Sequence, residues 1–145
     1  MPISLLRLGY WFAYHVYSYL GLRLELTRST LLLHDRSFVD ILVDQKRYRY
    51  GGPMWMLQLV CRLAPMPDLI ILLDAPPEVL QGRKQEVPLK VTARQRDAYL
   101  ALVRSMPNGR VINAAPPRAD VADSATETVL EHLRSRIARR FRLPA

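Results

Sequence analysis

Apolar and polar residues alternate along the chain with two different periods. Residues 4–26 repeat at helical spacing, with Leu5, Leu8, Phe12, Val16 and Leu20 recurring on one side, which predicts a first helix. A short continuous apolar run follows at Thr30–His34, the pattern of a strand buried on both faces. Residues 37–52 are mixed and close on the turn signal RYRYGGP. A helix with proline in its first turn fits Pro53–Ala64. A second strand is expected at Leu69–Leu73, ending at Asp74 and a double proline. Short and long helices are then expected at Glu78 to about Lys84 and about Thr92 to Met106, with the polar stretch KQEVPLK between them. After the turn PNG comes a third strand at Arg110–Asn113. A last helix from about Asp120 to Arg142 places Val129, Leu133 and Ile137 four residues apart.

Strands separated by helices imply an α/β fold, a parallel sheet with flanking helices. The 145 residues suffice for a single domain with its own core, so residues 1–145 are read as one domain. In such sheets ligands bind beyond the carboxyl ends of the strands. All three expected strands end there on polar or turn-forming sequence: HDR, LDAPPE and INA.

Composition narrows the chemistry. A lone cysteine, Cys61 in the apolar run MLQLVCRLA, excludes an internal disulfide framework and a multi-cysteine metal site. It reads as a buried core thiol. His15, His34 and His132 form no metal-binding spacing. The formal net charge is +8, and 18 of the 21 basic residues are arginine, whose planar fork suits phosphate oxygens. Much of the excess lies in RSRIARRFR, the polar side of the last helix. No helix-turn-helix, zinc spacing or aromatic–basic interleaving supports specific nucleic-acid binding. The aromatic first segment is interrupted by Arg7, His15 and Arg23, short of the roughly 18 uncharged residues of a membrane span. It reads instead as a helix lying on a membrane or burying most of its circumference in protein.

The pair Asp35–Arg36 closes the run LLLHDRSF. An aspartate at a strand end can hold hydrated Mg²⁺, and a neighbouring arginine can clamp a phosphate through two parallel hydrogen bonds. By itself the dipeptide reads more readily as a strand cap or as a pair bonded to other side chains.

Four ordered segments give it a context. LLLHDRSF, PDLIILLDAPPEVLQGR (67–83), VTARQRDAYLAL (91–102) and VINA (111–114) resemble the DR strand, the PDLTIYLDVPPEVALER strand, the FxxRVRxxYLEL helix and the VIDA strand of the thymidylate kinase-like nucleoside monophosphate kinases. The resemblance covers the later two-thirds of that family. It implies a P-loop kinase-like fold lacking the first strand and P-loop. It also implies an ATP-dependent phosphotransferase acting on a nucleoside monophosphate or related small acceptor, cytoplasmic, with ATP and Mg²⁺ as cofactors. By resemblance, Asp35 and Arg36 are catalytic, with Asp35 beside the metal and Arg36 on the acceptor phosphate. Arg83, Arg94, Arg96, Asn113 and Ala114 bind the nucleotide, and His15 and Asp40 join Arg36 at the acceptor. Asp74 reads as strand-end architecture.

The chain departs from the family at two places. None of its six glycines lies in GxxxxGK[ST], the loop whose backbone N–H groups cradle phosphates. Where the family reads like DRAQH before the DR strand, this chain has FAYHV, with His15 but no arginine. The expectation is therefore a truncated kinase, weakly active or inactive alone, completed by a missing N-terminal segment or by a homodimer partner. The alternative is a non-catalytic module that binds a partner.

Overall fold

The computed structural model describes residues 2–27, 30–35, 38–83 and 88–142, with Pro2, Leu24, Glu25 and Arg83 described by their backbone alone. The chain forms two compact units, Met1–Pro67 and Asp68–Ala145.

The first unit is helical: α1 (Pro2–Leu26), α2 (Asp40–Val43) and α3 (Met54–Leu63). Its core gathers Leu8 from α1, Ile41 from α2, Leu57 and Cys61 from α3, and Phe38, Tyr50 and Ala64 from the connections. Leu57 is fully enclosed. Trp11 and Phe12 of α1 pack against this core, Trp11 edge-on to Tyr48 at 5.5 Å and Phe12 edge-on to Phe38 at 6.3 Å. The turn before α3 is pinned by Tyr50, whose N–H donates to the Gln45 carbonyl and whose hydroxyl donates to the Pro53 carbonyl, both at 2.9 Å.

The first helix forms as the periodicity predicts, but its packed face is only partly the expected one, with Leu8 and Phe12 turned inward beside Trp11 and His15. Leu8 is buried, whereas Leu5 and Leu20 are exposed, so α1 does not bury most of its circumference. The segment is apolar nearly all round, and spacing alone could not choose the side that packs.

Residues 30–34 belong to no strand or helix, which corrects the expectation that Thr30–His34 forms a parallel strand. Leu31 and Leu33 are exposed. An apolar run becomes a buried strand only when a neighbouring backbone takes up its N–H and C=O groups, and none does so among the described residues.

The second unit holds β1 (Ile70–Asp74), α4 (Pro77–Arg83), α5 (Leu89–Arg104), β2 (Gly109–Asn113) and α6 (Arg118–Phe141). The strands pair in parallel, with Ile70 opposite Gly109 and Asp74 opposite Asn113. Observed and expected elements agree within a few residues here. Proline starts the helices: Pro77 is the first residue of α4, and Pro53, Pro88 and Pro117 stand at the N-caps of α3, α5 and α6. Gly109 begins β2 so close to the end of α5 that a Cβ there would collide with the Val103 carbonyl oxygen.

Leu57→Ala is expected to lower the unfolding free energy by about 2–5 kcal/mol, measured by urea denaturation, because it empties a fully enclosed site. Cys61 is free and buried, and desolvation pushes its thiol up to about 11. From about pH 9 to about pH 11 the unfolded chain ionises this thiol and the folded chain does not. The unfolded state then binds fewer protons, so stability that is intact below this window falls by about 2–3 kcal/mol as pH rises through it. Urea midpoints at the two ends of the window should drift less in Cys61→Ala than in the natural chain.

Candidate functional site

The candidate site of the second unit lies at the carboxyl ends of β1 and β2, where Asp74 pairs with Asn113. The apolar strand IILL ends at Asp74, and the chain leaves through Ala75, which is fully buried, and the two prolines that start α4. The Ala114 N–H donates to the Asp74 carbonyl at 2.6 Å, which locks the ends of the two strands together. The Asn113 side-chain oxygen accepts the Ala115 N–H at 3.0 Å, so this side chain braces the turn into α6.

Above this end lies α5. Arg96 reaches back to Asp74 in a fork, with Nε donating to Oδ1 at 2.6 Å and Nη2 to Oδ2 at 2.7 Å. The two side chains retain 29% and 17% of their exposure, so the pair is neither buried nor freely solvated. The bond to Asp74 holds the Arg96 pKa above its ordinary value. Two of the five guanidinium N–H donors are engaged here. Gln81 of α4 donates to the Thr92 hydroxyl of α5 at 3.2 Å, tying the two helices beside the fork.

An open hollow of about 180 Å³ lies under Arg96, lined by Leu72, Asp74, Leu80, Thr92 and Tyr99 among others. A second, of about 290 Å³, is lined by Leu73, Ala114, Pro116, Arg118 and Val121 among others. Both are half-open and mainly apolar, with one arginine in the lining of each.

Arg96, Asn113 and Ala114 therefore lie at one end of the sheet, and Ala114 is buried. Arg94, two residues from Arg96, is exposed. The backbone of Arg83 ends α4, and Lys84–Val87 lie outside the described residues. In the first unit, Asp35 is exposed at a bend after residues 30–34, so it does not close a strand as expected. Arg36 lies outside the described residues. Asp40 opens α2, half-buried. The His15 ring lies 3.2 Å from the Pro65 carbonyl oxygen through Nε2 and 5.4 Å from the Phe38 ring. Its polar edge is thus engaged within the protein. No group of three or more His, Cys, Asp or Glu able to hold a metal exists among the described residues. No described helix is long and apolar enough to cross a membrane.

Sequence reasoning did not foresee that Asp74 and Arg96 are partners. The available signal was a carboxylate ending an apolar strand and a later amphipathic helix with an arginine on its sheet-facing side.

No protein-family model matches the chain. Among curated proteins it is similar to a thymidylate kinase from Xylella fastidiosa (strain 9a5c), with 31% identity over 118 residues, 76% of this chain and 55% of the kinase. The chain thus spans about half the length of the curated relative it matches.

Asp74→Ala and Arg96→Ala should each lower the midpoint of thermal unfolding. The double variant should lose little more than the worse single one, since either change breaks the same fork. Thermal scans of the four proteins measure this non-additivity.

Proposed function

We propose that the chain is the acceptor-side and lid portion of a thymidylate kinase-like phosphotransferase. The observation that carries the proposal is the sheet end itself. Two strands, recognisable in sequence as PDLIILLDAPPE and VINA, end side by side under an arginine of the following helix, in a chain similar to a thymidylate kinase.

On this reading Arg96 has two duties. Its Nε edge is fixed on Asp74, which removes the rotamer freedom of a long side chain before any ligand arrives. The rest of the guanidinium then serves the nucleotide with Arg94, and Arg83 serves it from the end of α4. Asn113 and Ala114 form the wall beside the base, with contacts that are partly main-chain. Arg36 holds the acceptor phosphate, with His15 and Asp40 lining the acceptor side.

The metal fits on limited terms. Asp35 is an exposed single carboxylate, and no three-ligand cluster exists among the described residues. A lone carboxylate suits Mg²⁺ that keeps several waters and arrives with nucleotide phosphates. When bound, MgATP supplies the transferable phosphoryl group and offsets its charge. Asp35 would orient that metal, and the arginines would position the phosphates.

The 145 residues contain no GxxxxGK[ST] loop to cradle a triphosphate. The chain on its own is therefore assigned weak or no phosphotransfer. A second reading, a non-catalytic module that binds a partner, is favoured by the exposed apolar side of α1.

The test is the purified chain with dTMP, ATP and Mg²⁺, followed by ADP release and by calorimetric titration of each nucleotide. The expected result is little or no turnover with measurable nucleotide binding that weakens at least about tenfold in Arg36→Ala or Arg94→Ala. Turnover at an ordinary kinase rate would contradict the assignment of inactivity. Absence of any nucleotide binding would remove the phosphotransferase reading and leave the module.

A further inference from the structure

The last helix divides its charge by position. Residues 118–129 hold three acids, Asp120, Asp123 and Glu127, and one arginine, Arg118. Residues 130–142 hold five arginines and one acid, Glu131. The helix macrodipole favours cations in the last turn, so it accounts for Arg139 and Arg140 but not for Arg134 or Arg136. Arg136 is engaged, 2.7 Å from Asp68. No ion pair with another described residue engages Arg134, Arg139, Arg140 or Arg142.

The same stretch is apolar along one stripe. Leu130, Leu133, Ile137 and Phe141 follow one another at intervals of three and four residues, which places them above one another on the helix. Leu133 is half-buried and the other three are exposed, Ile137 by 51% and Phe141 by 65%. The packed side of α6 is a different one, carrying Val121, Ala125, Thr128, Val129 and His132, all half-buried. At 3.6 residues per turn, Arg134 and Arg140 fall about 60° to either side of Ile137. The Arg140 guanidinium lies 6.0 Å from the Phe141 ring centroid, beside the stripe.

We propose that the C-terminal half of α6 is a membrane-surface element that lies on an anionic lipid leaflet, with its apolar stripe at the acyl boundary and its arginines on the headgroup phosphates. An apolar stripe flanked on both sides by arginine suits that interface. The aliphatic and aromatic groups leave water, and the long guanidinium side chains reach back to the phosphates. Charge complementarity names the leaflet, since each basic residue near an anionic membrane strengthens binding roughly fivefold. A nucleic-acid backbone would take the arginines but leave Ile137 and Phe141 in water. A groove on an acidic protein would have to close around the helix, whereas the side carrying Val129 and His132 is already packed within this chain. A flat surface needs only the open arc. The inference is independent of the phosphotransferase reading and uses none of the residues assigned to the nucleotide.

Sedimentation of the full chain with sucrose-loaded vesicles tests it. The chain should pellet with equal parts phosphatidylglycerol and phosphatidylcholine, and stay in the supernatant with phosphatidylcholine alone. Ile137→Ser with Phe141→Ser keeps every charge and should weaken binding at least about tenfold. Arg139→Gln with Arg140→Gln should weaken it by a similar factor, and Tyr17→Ser in α1 should leave it unchanged. All of these positions are exposed, so helicity by circular dichroism should hold. If a variant does not fold, the natural chain decides: trypsin cleavage after Arg139 and Arg140 should slow when anionic vesicles are added, and unchanged cleavage overturns the proposal. A natural chain that ignores both kinds of vesicle also overturns it, and retention on a single-stranded RNA oligonucleotide instead would assign the arginines to nucleic acid. Anionic binding that survives loss of Ile137 and Phe141 overturns it too, because charge alone then suffices. So does binding lost in Tyr17→Ser and kept in the α6 variants, which moves the contact to α1.

Discussion

Two parallel strands cannot be joined by a tight turn. The chain that leaves β1 must cross over the sheet before it can return as β2. Here the crossover consists of α4 and α5, and it is what brings a guanidinium to the carboxylate at the end of β1. The Asp74–Arg96 fork fixes the far end of the crossover, and the close approach of Gly109 to Val103 fixes the return. Between those points the chain is committed to one path. The hollow beneath Arg96 is therefore a by-product of the connection, and any ligand there would bind against an arginine already oriented.

The second unit was readable in sequence because each of its signals is local. IILL bounded by a proline-led turn and a double proline defines a strand wherever it occurs, and prolines 77, 88 and 117 mark helix starts by geometry alone. The first unit was less readable for the opposite reason. Whether Thr30–His34 becomes a strand depends on a neighbour, which the run itself cannot specify. Which face of α1 packs depends on where Phe38, Ile41 and Leu57 settle, and an almost uniformly apolar helix gives no hint of that.

The candidate site shows the same division. The resemblance pointed to Arg96 and Asn113 as nucleotide ligands, but not to what else holds them. The structure ties Arg96 to Asp74 and Asn113 to the turn after β2. Geometry of this kind is a long-range outcome: Asp74 and Arg96 stand 22 positions apart, and only the crossover makes them neighbours. His15 illustrates the converse, since its ring edge meets the Pro65 carbonyl fifty positions away.

Cys61 has a consequence beyond its contribution to the core. It is the sole cysteine of the chain and lies entirely within the first unit. A thiol reagent reaches it freely only when the core it shares with Leu8, Ile41 and Leu57 loosens, so its modification rate follows the opening of that unit. The protein thus contains its own single-site clock for local unfolding. Comparing that clock with global denaturation would reveal whether the helical half and the sheet half come apart together or in turn.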